Sequence, residues 1–188
     1  MKKLLMIACV AAAAFVFTAC GDEEINKDKV TYDYTKLVIN EVNATAEVDL
    51  DKFVEFYNTG DKEISLEGVV IKRTDENNET AEVWLGLATE KVPAKGFFVI
   101  QGTKNSGTHS LSSGVSAKKG VKLEVFDPNG KSVTSVQHGI LTDATAVPAI
   151  KTGIWARIPD GGAWKNVTNA TPGAKNDETG AQTDAELI

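Results

Sequence analysis

The sequence predicts an all-β domain, a sandwich or barrel built from short strands. Three observations carry that expectation. From Leu37 onward, strand-length runs rich in aliphatic, β-branched and aromatic residues recur along the chain. Turn signals separate them, among them Asn58-Thr59-Gly60-Asp61, Pro93-Ala94-Lys95-Gly96, Asp127-Pro128-Asn129-Gly130 and Pro159-Asp160-Gly161-Gly162. Beyond the first twenty residues, no stretch long enough for a stable helix carries a helical period of apolar residues.

The chain opens with a segment that does not belong to that fold. Met1-Lys2-Lys3 is a basic start, and Leu4 to Phe17 is unbroken by charge and too short to span a bilayer comfortably. It leads into Phe17-Thr18-Ala19-Cys20-Gly21, where small residues precede a cysteine. This arrangement resembles the lipobox of bacterial lipoproteins. The resemblance implies a signal peptide over residues 1–19, cleavage before Cys20, and acylation of that cysteine. An ordinary secretory signal is the alternative. Cys9 would leave with the leader, so the mature domain would hold no free thiol and no disulfide.

Without Lys2 and Lys3 the chain keeps 18 Lys and Arg against 26 Asp and Glu, a formal charge of −8. An acidic surface without a basic cluster is unsuited to nucleic acid, whose binding rests on neutralising phosphates. It is equally unsuited to holding anionic lipid, so membrane attachment would come from the acyl chains. Residues 20–35 read as the lipidated N-terminus and a tether, although Val30, Tyr32 and Tyr34 alternate as an edge strand would. The acidic cluster Gly21-Asp22-Glu23-Glu24 resembles an export signal of surface lipoproteins. It points to lipid anchoring in the outer membrane with display at the cell surface, the periplasmic face being the alternative.

Leu37–Val42 and Phe53–Tyr57 are the central strands. Phe53, Glu55 and Tyr57 point one way, Val54 and Phe56 the other, so the second strand is expected to be covered on both faces. Ile64–Leu66, Val69–Ile71, Ala81–Leu85 and Phe97–Ile100 follow as strands, with Gly68 placed for a left-handed backbone or a bulge. Residues 102–120 are rich in Gly, Ser, Lys and Thr and read as a long loop. Val121–Phe126 and Lys131–Val136 flank Asp127-Pro128-Asn129-Gly130 as a hairpin. Residues 139–153 form a second loop, and Ile154–Ile158 is a late strand. Trp164 stands beyond the next turn, Thr171-Pro172-Gly173 favours a turn that folds the chain back, and residues 177–188 are a polar tail.

Catalytic signals are weak. Ser135 and His138 lie three apart on an extended run, so their side chains face opposite ways. Glu41 and Glu55 on neighbouring strands form a conceivable acid–base pair, without an evident cleft. Glu47, Asp49 and Asp51 alternate in the first connection and could offer oxygens to calcium; a solvated acidic loop is the plainer reading. No other cofactor is expected. Trp84 and Trp155 are expected in the core, while Trp164 is the tryptophan expected to be partly exposed. Trp164 and His109, the latter in the long loop, are the candidate binding residues.

Leu37-Val38-Ile39-Asn40-Glu41-Val42, Phe53-Val54-Glu55-Phe56-Tyr57-Asn58 and Ile64-Ser65-Leu66-Glu67-Gly68, in that order, resemble the opening of a lamin-tail domain. Gly96–Ile100, Val121–Gly130, Ile154–Gly161, Trp164 and Thr171-Pro172-Gly173-Ala174-Lys175-Asn176 resemble its later parts. The likeness implies an immunoglobulin-like β-sandwich over residues 36–176, of a kind often attached to hydrolases as a non-catalytic module. The expected function is a non-catalytic surface lipoprotein whose sandwich binds a protein or an extracellular polymer. The alternatives are an accessory subunit of an outer-membrane assembly and a glycan- or calcium-binding adhesion protein.

Overall fold

The structure, a computed structural model, describes residues 30–45, 51–102, 109–116, 119–138, 153–177 and 182–183. The described part is all-β, an immunoglobulin-like sandwich. Its strands are β1 (Leu37–Asn43), β2 (Phe53–Asn58), β3 (Ile64–Ser65), β4 (Val70–Thr74), β5 (Thr80–Leu85), β6 (Lys91–Val92), β7 (Phe97–Gln101), β8 (Val121–Phe126), β9 (Ser132–His138), β10 (Ile154–Ile158), β11 (Ala163–Asn166) and β12 (Gln182–Thr183). One sheet runs β12-β11-β10-β1-β2-β7 and a second β5-β4-β8-β9; β3 and β6 form a small separate pair. Every recorded pairing is antiparallel.

Local chemistry explains most of these elements. Asp127 Oδ1 accepts from the N–H groups of Asn129 and Lys131, and Gly130 has φ 79°, which closes the β8–β9 hairpin. Gly68 has φ 74°, the left-handed backbone its position suggested. The alternation of Val30, Tyr32 and Tyr34 does not make an edge strand. Asp33 instead caps a 3-10 turn over Tyr34–Lys36, accepting from Thr35 N–H at 3.1 Å and its hydroxyl at 2.6 Å. Tyr32 and Tyr34 pack against the core as partly buried rings.

The core lies between the two large sheets, with Ile39, Val42, Val54, Phe56 and Ile100 from one and Ile71, Leu123, Val125 and Val136 from the other. Trp84 and Trp155 join it, as expected. Trp164 does so too, at 8% exposure, which corrects the expectation of a partly exposed turn residue. It belongs to β11, where pairing with Arg157 turns it inward, and the Arg157 guanidinium covers its ring at 4.6 Å. The long loop is also less peripheral than its composition suggests. Leu111 and Val115 are buried in the core, and the N–H groups of Leu111 and Ser112 donate to the carbonyls of Gln101 on β7 and Val83 on β5. This segment therefore bridges the edge strands of both sheets and covers backbone groups that would otherwise invite pairing. Within the polar tail, Gln182 and Thr183 pair with β11.

Asn58 ends β2 and pins the small pair to the sandwich. Fully buried, it donates from Nδ2 to the carbonyls of Lys62 (2.7 Å) and Val92 (3.2 Å), and its Oδ1 accepts from Gly60 N–H. Asn58→Ala takes the donor from both carbonyls, of which that of Val92 is buried. The expected loss is about 1–3 kcal/mol, read as a lower urea midpoint at unchanged slope.

Candidate functional site

The chemistry-bearing groups that the fold brings together lie on the outer face of the six-stranded sheet. In β1 and β2, Val42 is paired with Val54 on the core side, so Glu41 and its partner Glu55 occupy the opposite face. Ala156 of β10 sits beside Glu41 on that face, within a smaller apolar cluster with Ile154 and Val167. Leu37, Ile39 and Val42 all face the core, so strict alternation does not hold across Asn40 and Glu41. A shift of register between Ile39 and Glu41 makes Asn40 the extra residue of a bulge, and its side chain reaches the same outer cluster as Glu41.

The segment 171–176 closes over these residues. Both Glu41 oxygens accept from Thr171 N–H, at 3.0 and 3.2 Å, and Oε2 also accepts from the Thr171 hydroxyl at 3.1 Å. Glu55 accepts from Gly173 N–H at 2.7 Å and from Asn40 Nδ2 at 3.1 Å. Asp160, in the β10–β11 turn, accepts from Asn40 Nδ2 and from Asn176 N–H, both at 3.1 Å. Asn40 Oδ1 accepts from Gly161 N–H at 3.0 Å. Asn176 completes the clasp: its Nδ2 donates to the Arg157 carbonyl at 2.9 Å, and its Oδ1 lies 2.9 Å from the Thr171 hydroxyl, whose single proton it shares with Glu41. On the core side, Arg157 donates to the carbonyls of Ile39 and Gly162, which fixes the strand beneath the cluster.

Glu41 and Glu55 have no exposed surface. Burial pushes Glu41 up to about 7, against the hydrogen bonds from Thr171 and with a smaller upward push from Asp160. Burial likewise pushes Glu55 up to about 8, against the bonds from Gly173 and Asn40 and helped by the charges of Glu41 and Asp160. Such a pair could exchange a proton near neutral pH, but its oxygens are engaged by the chain itself. The fold-back at Thr171-Pro172-Gly173 and the adjacency of Glu41 and Glu55 are present as expected; the roles of Asn40, Asp160 and Asn176 were not foreseen.

The other candidates are scattered. Glu47 and Asp49 lie outside the described residues, and Asp51 Oδ1 accepts from Lys52 N–H at 2.8 Å. Among the described residues, no group of three His, Cys, Asp or Glu side chains is placed to hold a metal ion. His109 stacks on Trp84 at 5.2 Å and bonds through Nδ1 to Glu90 Oε1 at 2.8 Å. It thereby fastens the bridging loop to β5. His138 is buried against Trp155, with ring centroids 4.9 Å apart. Cys20 lies outside the described residues.

The lamin tail domain model matches residues 31–139, more than half of the chain. The chain belongs to the lamin tail domain family. The clasp segment and β10–β12 lie beyond the matched residues, although Glu41 and Glu55 lie within them. No curated protein matches the chain. Among solved structures, it is similar to the archaellum periplasmic stator protein FlaG from Sulfolobus acidocaldarius, at 19% identity and a TM-score of 0.34, over 54% of this chain and 96% of that one. It is also similar to a chain of the FlaF and FlaG stator complex from the same organism, at 18% identity and a TM-score of 0.34, over 60% and 95%.

Proposed function

We propose that this protein is a non-catalytic envelope lipoprotein whose lamin tail domain binds a protein or an extracellular polymer. In this reading, residues 1–19 are a signal peptide, acylated Cys20 holds the chain in the outer membrane, and residues 20–35 carry the domain away from the bilayer. The acidic start of the tether favours display at the cell surface. The observation that carries the non-catalytic part is the state of the Glu41–Glu55 pair. These carboxyls are the described groups best suited to acid–base work, and both are fully buried and bonded to segment 171–176. A general acid or base needs hydrogen-bond reach to a substrate, and with segment 171–176 seated these oxygens are engaged by the chain itself.

Fatty-acid labelling and fractionation test the anchor. Wild-type protein is expected to take up labelled palmitate and sediment with membranes, and Cys20→Ser to lose both properties. A label that persists in Cys20→Ser overturns the assignment. Protease shaving of intact cells reads the orientation: cleavage of the domain supports surface display, and full protection supports the periplasmic face. Crosslinked pull-downs from detergent-solubilised membranes, run beside sedimentation with cell-surface polymer, test binding. Absence of any retained protein or polymer counts against a binding module.

A further inference from the structure

We propose that segment 171–176 is a proton-sensitive latch, seated on the outer face of the sheet while the Glu41–Glu55 pair holds a proton and loosened when both carboxyls ionise. Glu41 and Glu55 are direct cross-strand partners on one face of an antiparallel pair, where side chains stand close and like charges repel. Both are fully buried, so water does not screen that repulsion. Among the described residues, the groups that meet their oxygens are amides and a hydroxyl, from Thr171, Gly173 and Asn40, with no lysine or arginine among them. Two adjacent buried carboxylates without a cation retain a proton between them more readily than isolated ones.

The surrounding charges point the same way. Asp160, from the β10–β11 turn, shares Asn40 with Glu55 and adds a third carboxyl. Arg157 of β10 is committed to the carbonyls of Ile39 and Gly162 and to the Trp164 ring. On β7 the partner of Glu55 is Val99, which carries no charge. Lys165 of β11 lies on the same face, beyond Ala156, and the latch itself brings Lys175 and Asp177 at exposed positions. The raised pKa values of the pair are consistent with this placement.

The pair is also joined mechanically to the latch. Thr171 and Gly173 give their backbone N–H groups to Glu41 and Glu55, and Asn176 gives its own to Asp160. Ionising both glutamates leaves two buried like charges whose relief is water, and water reaches them when 171–176 lifts. Lifting bares Asn40, Glu41 and Glu55 on the face that also carries the half-buried Tyr57–Phe97 ring pair, centroids 5.0 Å apart.

Hydrogen exchange read by mass spectrometry on the full chain in detergent micelles tests the latch between pH 5.5 and 8.5, with rates normalised to intrinsic exchange. Opening of a peptide over residues 168–178 is expected to rise about tenfold or more across that range, while a peptide over β8–β9 keeps its protection. In Glu55→Gln and Glu41→Gln the rise is expected to flatten, since a neutral side chain replaces the titrating one. Constant protection of 168–178, protection that increases with pH, an equal loss in β8–β9, or a rise that survives in both variants would overturn the proposal. Should the variants not fold, the contrast between the two wild-type peptides decides it.

Discussion

Trp155→Ala is expected to lower the stability of the domain by about 3–5 kcal/mol, the range for removing a large aromatic side chain from a packed core. Trp155 is 1% exposed and lies in the middle of the six-stranded sheet, opposite Val42 on one side and Asn166 on the other. Its ring packs against His138 of β9, so it joins the two sheets across the core. Its indole nitrogen has no hydrogen-bond partner among the described residues, so the loss counted is one of packing and apolar burial. Truncation leaves a cavity between two close-packed sheets that relax only in part around it. In a domain of this size that corresponds to a fall in Tm of roughly 10 °C or more. Trp155→Phe restores part of the packing and should recover about half of the loss. Trp164→Ala is expected to cost less, because Trp164 lies near the edge with its ring under Arg157. Thermal unfolding of the three variants in one buffer measures the order; a Trp155→Ala midpoint within a few degrees of wild type would contradict the placement of this residue.

What was legible in the sequence was local. The β8–β9 hairpin follows from Asp127 and Gly130 alone, because the turn bonds its own backbone and sets its own twist. Gly68 was readable for the same reason, as was the turn that Asn58 closes with Gly60 and Lys62; its bond to Val92, 34 positions away, was not. The clasp was half legible. Thr171-Pro172-Gly173 announces a turn, and Glu41 and Glu55 announce two carboxyls on adjoining strands. What joins them is a contact spanning 130 positions between Thr171 and Glu41, which no local pattern encodes. Asn40 beside Glu41 was hidden by alternation, since a strand period of two cannot put Ile39 and Val42 on one face and the two residues between them on the other until the bulge is known. Leu111 and Val115 are two apolar residues in a polar loop, and composition alone hides an anchor point. Trp164 was misread because β11 is short and its pairing with β10 decides its direction.

Stability is expected to fall as pH rises from 5 to 8.5. The sign follows from the two buried glutamates. Each has a folded-state value raised above the ordinary 4.5, to about 7 for Glu41 and about 8 for Glu55. Between those limits the folded protein holds protons that the unfolded chain has released, so raising the pH favours unfolding. The stabilising contribution is complete below about 4.5 and is lost as pH climbs through 7 and 8. Carboxylates with the opposite shift act elsewhere. Hydrogen bonds from Thr35 and Glu79 hold Asp33 and Asp75 below their ordinary 3.8, so what they contribute is lost only at acid pH. Asp33 and Asp75 therefore leave the window from 5 to 8.5 untouched, and comparison with Glu55→Gln isolates what the clasp contributes there. One pKa unit is about 1.4 kcal/mol, so rises of this size make the fall a matter of several kcal/mol, which belongs to the pair as a whole. Urea unfolding at a series of pH values measures it, and Glu55→Gln should remove roughly half of the slope by taking away one of two titrating groups. A stability that rises across this window would mean that the hydrogen bonds from Thr171 and Gly173 outweigh burial, and that the clasp is held by ionised carboxylates.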